Sequence, residues 1–204
     1  MAERSRLKIN ATGSLVEINN NKTQDGKLYS IGRMISNIDE KATELTFFCF
    51  NDKINKRINA GDYLGERIKI RGKIQTKVED NIKGEKESRL IIHALFIEKA
   101  RSLKDEARFT ALGLIRNAQN FDNYTLGTIE AEAIYKEVCY RTQLEAVAVN
   151  SHLRKKLIRN RDQRALIKGK IDNILDEKHI GNKKNYRTIC IMESLNIVQD
   201  SVSR

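Results

Sequence analysis

The sequence predicts an all-β fold with short helices, built as two similar five-stranded barrels in tandem. The first observation behind this prediction is an internal repeat. FCFNDKINKRI at residues 48–58 matches VAVNSHLRKKL at 147–157, and IRGKI at 70–74 matches IKGKI at 167–171. The two matches occur in the same order, at offsets of 99 and 97 residues. A period this long exceeds a solenoid repeat and suits a small domain.

The second observation is the order of predicted elements, which repeats in both halves. We expect domain 1 at residues 1–100, a linker at 101–108 and domain 2 at 109–204. The linker RSLKDEAR contains neither Gly nor Pro, so we expect it to hold the two domains fairly close.

The first half contains short segments that alternate apolar and polar residues, the pattern of half-buried strands. Gly13 follows a first alternating run, and a polar loop is predicted from Asn19 to Gly26. Asn51 and Asp52 form a good N-cap for a short helix that carries Ile54 and Ile58 on one face. Further strands are predicted at Leu28 to Ile35, Leu45 to Phe50, Arg67 to Val78 and Leu90 to Ile97, with a charged hairpin loop at Asp80 to Glu87.

The second half repeats this order, with a loop from Asn117 to Asn123 and a helix from Ser151 to Ile158. Its strands are predicted at Phe109 to Ile115, Leu126 to Tyr135, Arg141 to Val149, Ala165 to Leu175 and Arg187 to Val198. Five strands with one helix between the third and fourth is the order of an OB-fold, a small Greek-key barrel. Gly72 and Gly169 sit inside the fourth strands, where a strand of a small barrel must bend.

Charge favours a polyanionic partner. The formal net charge is +11, of which residues 1–100 contribute +5 and residues 101–204 contribute +6. The excess therefore belongs to the repeated domain and not to a basic tail, although a generally basic protein is the simpler alternative. No apolar run reaches the length of a membrane span and no signal-peptide core follows the N-terminus, so we expect a cytoplasmic protein without a membrane partner.

The sequence contains no pattern typical of a disulfide framework, a metal site or a catalytic site. Cys49, Cys139 and Cys190 are widely spaced in strand-like contexts, which indicates buried hydrophobic side chains and neither disulfides nor a zinc site. No metal-ligand spacing, phosphate-binding glycine loop or nucleophile–base pattern occurs. We expect no enzyme activity, no metal and no cofactor.

The first half resembles bacterial-type single-stranded DNA-binding proteins. GERIKIRGKIQTK at residues 65–77 is similar to the family pattern GxxVxVEGRLQTR, with both glycines at the same spacing. TGSL at residues 12–15 is similar to the family's opening VGRL, Gly26 suits its glycine before the second strand, and Phe50 occupies its aromatic position before the helix. The resemblance is weaker over residues 109–198, where MESL at 192–195 is similar to the family's closing strand.

Several departures from the family pattern bear on function. The chain has no Trp, and Glu44 stands at a second family aromatic position. In the second repeat Val149 replaces the Phe50 position and Asp162 replaces the first glycine of the motif. The final residues QDSVSR lack the family's acidic, Pro-containing tip, so we do not expect recruitment of replication partners through such a tail.

The resemblance implies that bases stack on aromatic faces while cations hold phosphates. Phe48 and Phe50 share the strand face opposite Phe47, so we expect them to point outward; packing under the helix or at an oligomer contact is the alternative. Cations two residues apart lie about 6.7 Å apart, which suits successive phosphates but also fits a solvated outer face. These cations are Lys69, Arg71, Lys73 and Lys77, matched by Lys168 and Lys170; weaker nucleic-acid-binding candidates are Tyr29, Arg33, Tyr140 and Arg141.

The leading hypothesis is binding of single-stranded DNA with little sequence specificity, in replication, recombination or DNA protection. Two alternatives remain open: an OB-fold scaffold in which one or both nucleic-acid sites are lost, and an RNA-binding OB protein. We expect a homo-oligomer, for example a dimer that brings four OB-folds together.

Overall fold

Ten strands and two short helices form the chain in the computed structural model, which describes residues 6–38, 40–59, 61, 63–80, 86–135, 138–176 and 185–198. The first half consists of β1 (Arg6–Lys22), β2 (Leu28–Ile38), β3 (Lys41–Cys49), α1 (Asp52–Asn59), β4 (Arg67–Asp80) and β5 (Lys86–Lys99). The second half consists of β6 (Glu106–Asn120), β7 (Thr125–Tyr135), β8 (Val138–Ala148), α2 (Ser151–Arg159), β9 (Arg164–Asp176) and β10 (Asn185–Ile197). Neither helix is long and apolar enough to cross a bilayer, a finding that covers the described residues.

Each half closes into a five-stranded barrel. In the first half the strands pair in the order β1–β2–β3–β5–β4 and back to β1, with β3 and β5 parallel and the other pairs antiparallel. In the second half β6–β7–β8–β10–β9 follow the same order and close on β6. This is the strand order of an OB-fold, so the predicted tandem OB-fold is confirmed.

A bulge allows the first strand of each barrel to pair with two other strands of that barrel. The first part of β1 pairs with β4, the last part pairs with β2, and the register shifts between Leu15 and Glu17. β6 has the same irregularity between Ile115 and Asn117. An extra residue bends a strand and increases its twist, which turns each long strand around the corner of its barrel.

The cores follow the predicted alternation. Leu45, Phe47 and Cys49 of β3 are buried, while Phe48 is partly exposed. Cys49 and Cys190 are buried free thiols, as predicted, and burial raises the pKa of both. The side chain of Cys139 lies outside the described part of the chain.

Asparagine caps both helices. The Asn51 side chain accepts hydrogen bonds from the backbone N–H groups of Lys53 and Ile54, at 3.0 and 3.3 Å. Asn150 does the same at the start of α2. These bonds satisfy donors that the first helical turn would otherwise leave unpaired.

The two barrels are joined by antiparallel pairing of β1 with β6 over seven Cα pairs, from Arg6–Leu112 to Thr12–Glu106. Buried and exposed positions follow the same sequence in residues 7–16 and 107–116, so the strands are structural equivalents. Ile9 lies opposite Phe109, its own equivalent, at the middle of the ladder. The barrels are therefore related by an approximate two-fold axis through this pair.

Side-chain bonds hold the two barrels together away from this ladder. The Glu145 N–H on β8 donates to the Thr76 hydroxyl on β4 at 2.9 Å. The Lys41 ammonium at the start of β3 donates to the Asn173 carbonyl on β9 at 2.8 Å and pairs with Asp172 at 2.7 Å. The β4–β5 hairpin thus lies along β8, while β9 lies along β3.

The predicted linker is fixed to the first barrel by one buried carboxylate. Asp105 accepts a hydrogen bond from the Asn37 N–H at 2.7 Å and pairs with Arg67 at 2.5 Å. β6 begins at Glu106, within the segment 101–108 that the sequence assigns to the linker. Asp105 thereby ties the residue before β6 to β2 and β4 of the first barrel.

Two predicted loops are wrong in part. β1 continues to Lys22 and β6 to Asn120, so the polar segments 19–22 and 117–120 are strand. These residues form the exposed end of a two-stranded ribbon, where neither face is buried. Their side chains are therefore polar on both faces and lack the apolar–polar alternation from which strands are predicted. Val78 shares a strand face with the buried Thr76, but it is exposed because the β4–β5 hairpin extends past the barrel. Residues 81–85 of the predicted hairpin loop lie outside the described residues.

Gly72 is expected to be intolerant of any side chain. A Cβ atom built there would overlap the backbone carbonyl oxygen of His93, and Gly169 is blocked in the same way by Ile191. Gly72→Ala must separate β4 from β5, so we predict a loss of about 1–3 kcal/mol of stability in chemical denaturation. The control Lys77→Ala, exposed on the same strand, should change stability by no more than about 0.5 kcal/mol. Equal stability of Gly72→Ala and wild type would contradict this account of the glycine.

Candidate functional site

Three aromatic rings predicted as contacts lie together on the outer face of β2 and β3. The Tyr29 and Phe50 ring centroids are 5.2 Å apart with planes 19° from parallel, and those of Tyr29 and Phe48 are 6.5 Å apart at 30°. The face follows from alternation, because Ser30, Phe47 and Cys49 point into the core. Phe50 is 38% exposed and Phe47 is fully buried, so the predicted outward direction of Phe50 agrees with the structure.

His93 on β5 adds a fourth ring that the sequence analysis did not identify. Its Cα is paired with that of Phe48 across the parallel β3–β5 contact. Its ring lies 6.2 Å from Phe48 and 5.9 Å from Phe50, between centroids. We call Tyr29, Phe48, Phe50 and His93 the ring cluster.

The cation beside the ring cluster is Lys73, whose Cα is paired with that of His93 across β4 and β5. Burial lowers the pKa of His93 below its ordinary value, and the positive charge of Lys73 lowers it further. The lowered pKa favours the uncharged imidazole of His93, so that its ring adjoins Phe48 and Phe50 on one side of the site and Lys73 on the neighbouring strand.

A depression of about 540 Å³ adjoins the ring cluster. Its lining combines two rings with polar and small apolar or aliphatic side chains, and Thr142 on β8 comes from the second barrel: Phe50, Asn51, Lys73, Gln75, His93, Ala94, Leu95 and Thr142. The second barrel reaches this position because β4 lies along β8. The candidate site is consequently bordered by both repeats.

The four predicted cations of β4 all point outward, as the alternation predicted. Three of them have carboxylate partners: Lys69 with Glu106 at 4.0 Å, Arg71 with Glu98 at 3.4 Å and Lys77 with Glu79 at 2.5 Å. Within the described part of the chain, Lys73 has no carboxylate partner. A phosphate would meet the least competition at Lys73.

Arg33 on β2 is less available than the sequence suggested. Its guanidinium donates to Glu17 at 2.9 Å and to Glu44 at 3.2 Å. Glu44 stands where the resembled family places an aromatic residue. At this position the chain therefore carries a carboxylate that pairs with Arg33 and offers no ring for stacking.

The second barrel presents an aliphatic face where the first presents rings. The strand registers make Val147 equivalent to Phe48 and Ile191 equivalent to His93, and Val149 follows β8 as Phe50 follows β3. Tyr124 stacks instead on Phe121, at 4.6 Å between centroids. At these described positions the second barrel therefore has aliphatic side chains in place of rings.

Six basic residues lie in and just after α2: Arg154, Lys155, Lys156, Arg159, Arg161 and Arg164. The first of them, Arg154, has a structural role. The Arg154 guanidinium on α2 donates to the backbone carbonyls of Phe121 and Asp122, at 2.6 and 3.0 Å, and to the Asn120 side chain at 3.0 Å. Arg154 thereby braces the β6–β7 turn, and its guanidinium donors are engaged by these acceptors.

The remaining candidates are dispersed over the second barrel. Lys168 and Lys170 point outward from β9, with Lys170 opposite Ile191. Arg141 on β8 pairs with Glu132 at 3.2 Å. Tyr140 belongs to the same strand, but its side chain lies outside the described residues.

A further exposed ring, also missed from the sequence, lies at a bulge in β5. Arg71 pairs with Phe96 and Gly72 with Ala94, so Leu95 is the extra residue and both Leu95 and Phe96 are exposed. The Arg71 guanidinium lies 5.5 Å from the Phe96 ring centroid. Strict alternation would have buried one of the two residues, so only the bulge reveals this surface.

The fold as a whole is similar to that of the single-stranded DNA binding protein from Thermus aquaticus, with a TM-score of 0.66 at 14% identity. The match covers 99% of this chain and 97% of that chain. A deletion mutant of the same Thermus aquaticus protein gives 0.64 at 15% identity, over 98% and 97% of the two chains. No protein-family model and no curated protein matches the sequence. The likeness establishes the shared fold over nearly the entire length.

Phe50→Ala should leave the barrel stable, because Phe50 is partly exposed and packs mainly on other surface rings. Phe47→Ala, two residues earlier, empties a fully buried site and should lose about 3–5 kcal/mol. Thermal melts of the two variants provide the comparison. Equal drops in melting temperature for the two variants would indicate that Phe50 is a core residue and would contradict its assignment to the surface.

Proposed function

We propose that the chain binds single-stranded DNA with little sequence specificity through the ring cluster and adjoining cations of the first barrel. The observation that carries this proposal is four neighbouring rings on an outer barrel face beside Lys73, a lysine without a carboxylate partner in the described part of the chain. Isolated surface rings are common, whereas several together on a basic face suit successive bases and phosphates. The Thermus aquaticus protein of similar fold, named for single-stranded DNA binding, supports the same ligand class.

The ring cluster accounts for low sequence preference. Every base has an aromatic face, so stacking on Tyr29, Phe48 and Phe50 does not select one base. Each stack contributes about 1–3 kcal/mol. Duplex DNA keeps its bases stacked internally, so the same rings should favour single strands.

The cations account for affinity and its dependence on salt. A single strand that releases counterions shows a slope of log affinity against log salt of about −0.7 for each neutralised phosphate. Lys73 is the first phosphate contact in this proposal. Lys69, Arg71 and Lys77 contribute after exchanging their exposed carboxylate partners for phosphates, a small penalty because exposed ion pairs are weak.

A second candidate function concerns the other barrel. Val149 is 56% exposed, and Val147 and Ile191 replace rings of the ring cluster. An aliphatic face of this kind favours a protein contact over base stacking. On the same barrel, Lys168 and Lys170 of β9 would contact the phosphate backbone of a bound strand without base stacking. The first barrel would then be the stronger binder of single strands.

We also propose a cellular role on the basis of this binding mode. A protein that coats single strands without reading sequence serves replication, recombination or DNA protection. We further propose a homo-oligomer, with a dimer bringing four OB-folds together, and light scattering of the purified chain measures this directly. Recognition of RNA is an outcome that the following titration tests.

Fluorescently labelled oligo-dT, the matching RNA and a duplex of equal length should be titrated at low and high salt. We expect binding of oligo-dT to exceed that of duplex and to weaken steeply with salt, because cations and rings act together. Equal affinity for duplex and single strand would exclude the stacking model. Tighter binding of the RNA than of oligo-dT would identify RNA, in place of DNA, as the preferred ligand.

Phe50→Ala in the full chain should weaken oligo-dT binding by about 1–3 kcal/mol, the value of one lost stack. The matched control is Val149→Ala at the equivalent position of the second barrel, where we expect little change. Fluorescence anisotropy measures both. A larger loss from Val149→Ala than from Phe50→Ala would transfer the binding face to the second barrel.

A further inference from the structure

His93 contributes an imidazole to the ring cluster, so it would lie next to any strand bound there. It is half-buried, and its ring centroid lies 6.2 Å from that of Phe48 and 5.9 Å from that of Phe50. Its Cα is paired with that of Lys73 on the neighbouring strand. Side chains opposite one another in an antiparallel pair have Cβ atoms about 4.5–5.5 Å apart, so a phosphate held by Lys73 also lies close to the imidazole.

Among the described residues that line the depression beside His93, one is charged. Lys73 is the charged residue among those that line the depression. β3 contributes Phe48, the segment after it contributes Phe50 and Asn51, and β8 contributes the uncharged Thr142. Tyr29 on β2, the other titratable side chain of the cluster, stacks on both phenylalanine rings.

We propose that His93 takes up a proton when a nucleic-acid strand occupies the ring cluster, so that strand binding strengthens as the pH falls. This inference rests on the proposed single-strand binding function. It assigns His93 two contacts with one ligand: a ring face for a base while neutral, and an imidazolium for the phosphate held by Lys73 when protonated.

The direction follows from the charges. In the free protein, burial and the Lys73 ammonium lower the pKa of His93. A bound phosphate offsets the Lys73 charge and adds a negative charge near the imidazole, which raises the pKa in the complex relative to the free protein. A group whose pKa is higher in the complex strengthens binding as the pH falls through the bound-state pKa. The effect levels off below the free-state pKa, where both forms are protonated.

The size of the effect is set by the difference between the two pKa values. Each unit of difference corresponds to about a tenfold change in affinity between the two plateaus. A base that stacks on the imidazole also removes water from it, which acts in the opposite direction. If that term were larger than the phosphate term, binding would weaken as the pH falls, and the proposal would be wrong.

The test is a series of oligo-dT titrations with the full chain from pH 5.5 to 8.0 at constant ionic strength. Wild type should bind more tightly at the acid end, and His93→Phe, which keeps a ring and removes the titration, should lose most of that gain. His152→Gln is the control, because His152 is an exposed residue on α2, remote in sequence and on the other barrel. It should retain the wild-type slope. The third histidine, His179, lies outside the described residues.

A second measurement keeps the proposal testable if His93→Phe folds poorly. The imidazole C–H resonance of His93 should titrate at a higher pH in the oligo-dT complex than in the free wild-type protein. An unchanged or lower value in the complex would overturn the proposal. Absence of oligo-dT binding at pH 8.0, where the imidazole is neutral, would instead contradict the proposed function itself. Binding with the same slope in wild type and His93→Phe would contradict only the role of His93.

Discussion

The arrangement of the molecule depends on the antiparallel ladder between β1 and β6. Its seven Cα pairs fix the two barrels about an approximate two-fold axis at Ile9 and Phe109. That axis places the β4–β5 hairpin along β8, where Thr76 and Glu145 are hydrogen-bonded. Through this contact Thr142 comes to border the depression beside His93. The rings and Lys73 of the candidate site all belong to the first repeat, but the depression beside them is bordered by both repeats.

The two barrels keep a common frame and differ on their outer faces. The Ser30 hydroxyl donates to Asn20 at 2.8 Å, and Thr125 donates to Asn120 at the same distance in the equivalent ribbon. Such contacts are retained because packing and hydrogen bonding tolerate few alternatives. Solvent-facing positions lack this constraint, so Phe48 and Val147 occupy equivalent strand positions without altering either fold. Among the side chains that the structure describes, the ring cluster lies on the first barrel, and aliphatic residues occupy the equivalent strand positions of the second.

Much of the fold was predictable from local patterns. The internal repeat, the strand order and the outward direction of Phe48 and Phe50 all follow from spacing and alternation in the sequence. The β1–β6 ladder was not predictable, because a strand's alternation does not identify the partner at its free edge. His93 was missed for a related reason: its neighbours Phe48 and Lys73 are brought to it by parallel and antiparallel pairings distant in sequence. The carboxylate partners of Arg33 and Lys69 likewise come from other strands.

The central claim, that single strands contact the ring cluster, is tested most directly by photochemical cross-linking. An oligo-dT that carries 5-bromouracil would be bound to the full chain, irradiated and analysed by mass spectrometry of the digested protein. The account predicts cross-links in the segments that contain Tyr29, Phe48 and Phe50, with few in the second barrel. Cross-links concentrated around α2 and its basic residues 154–164, with none at the ring cluster, would contradict it.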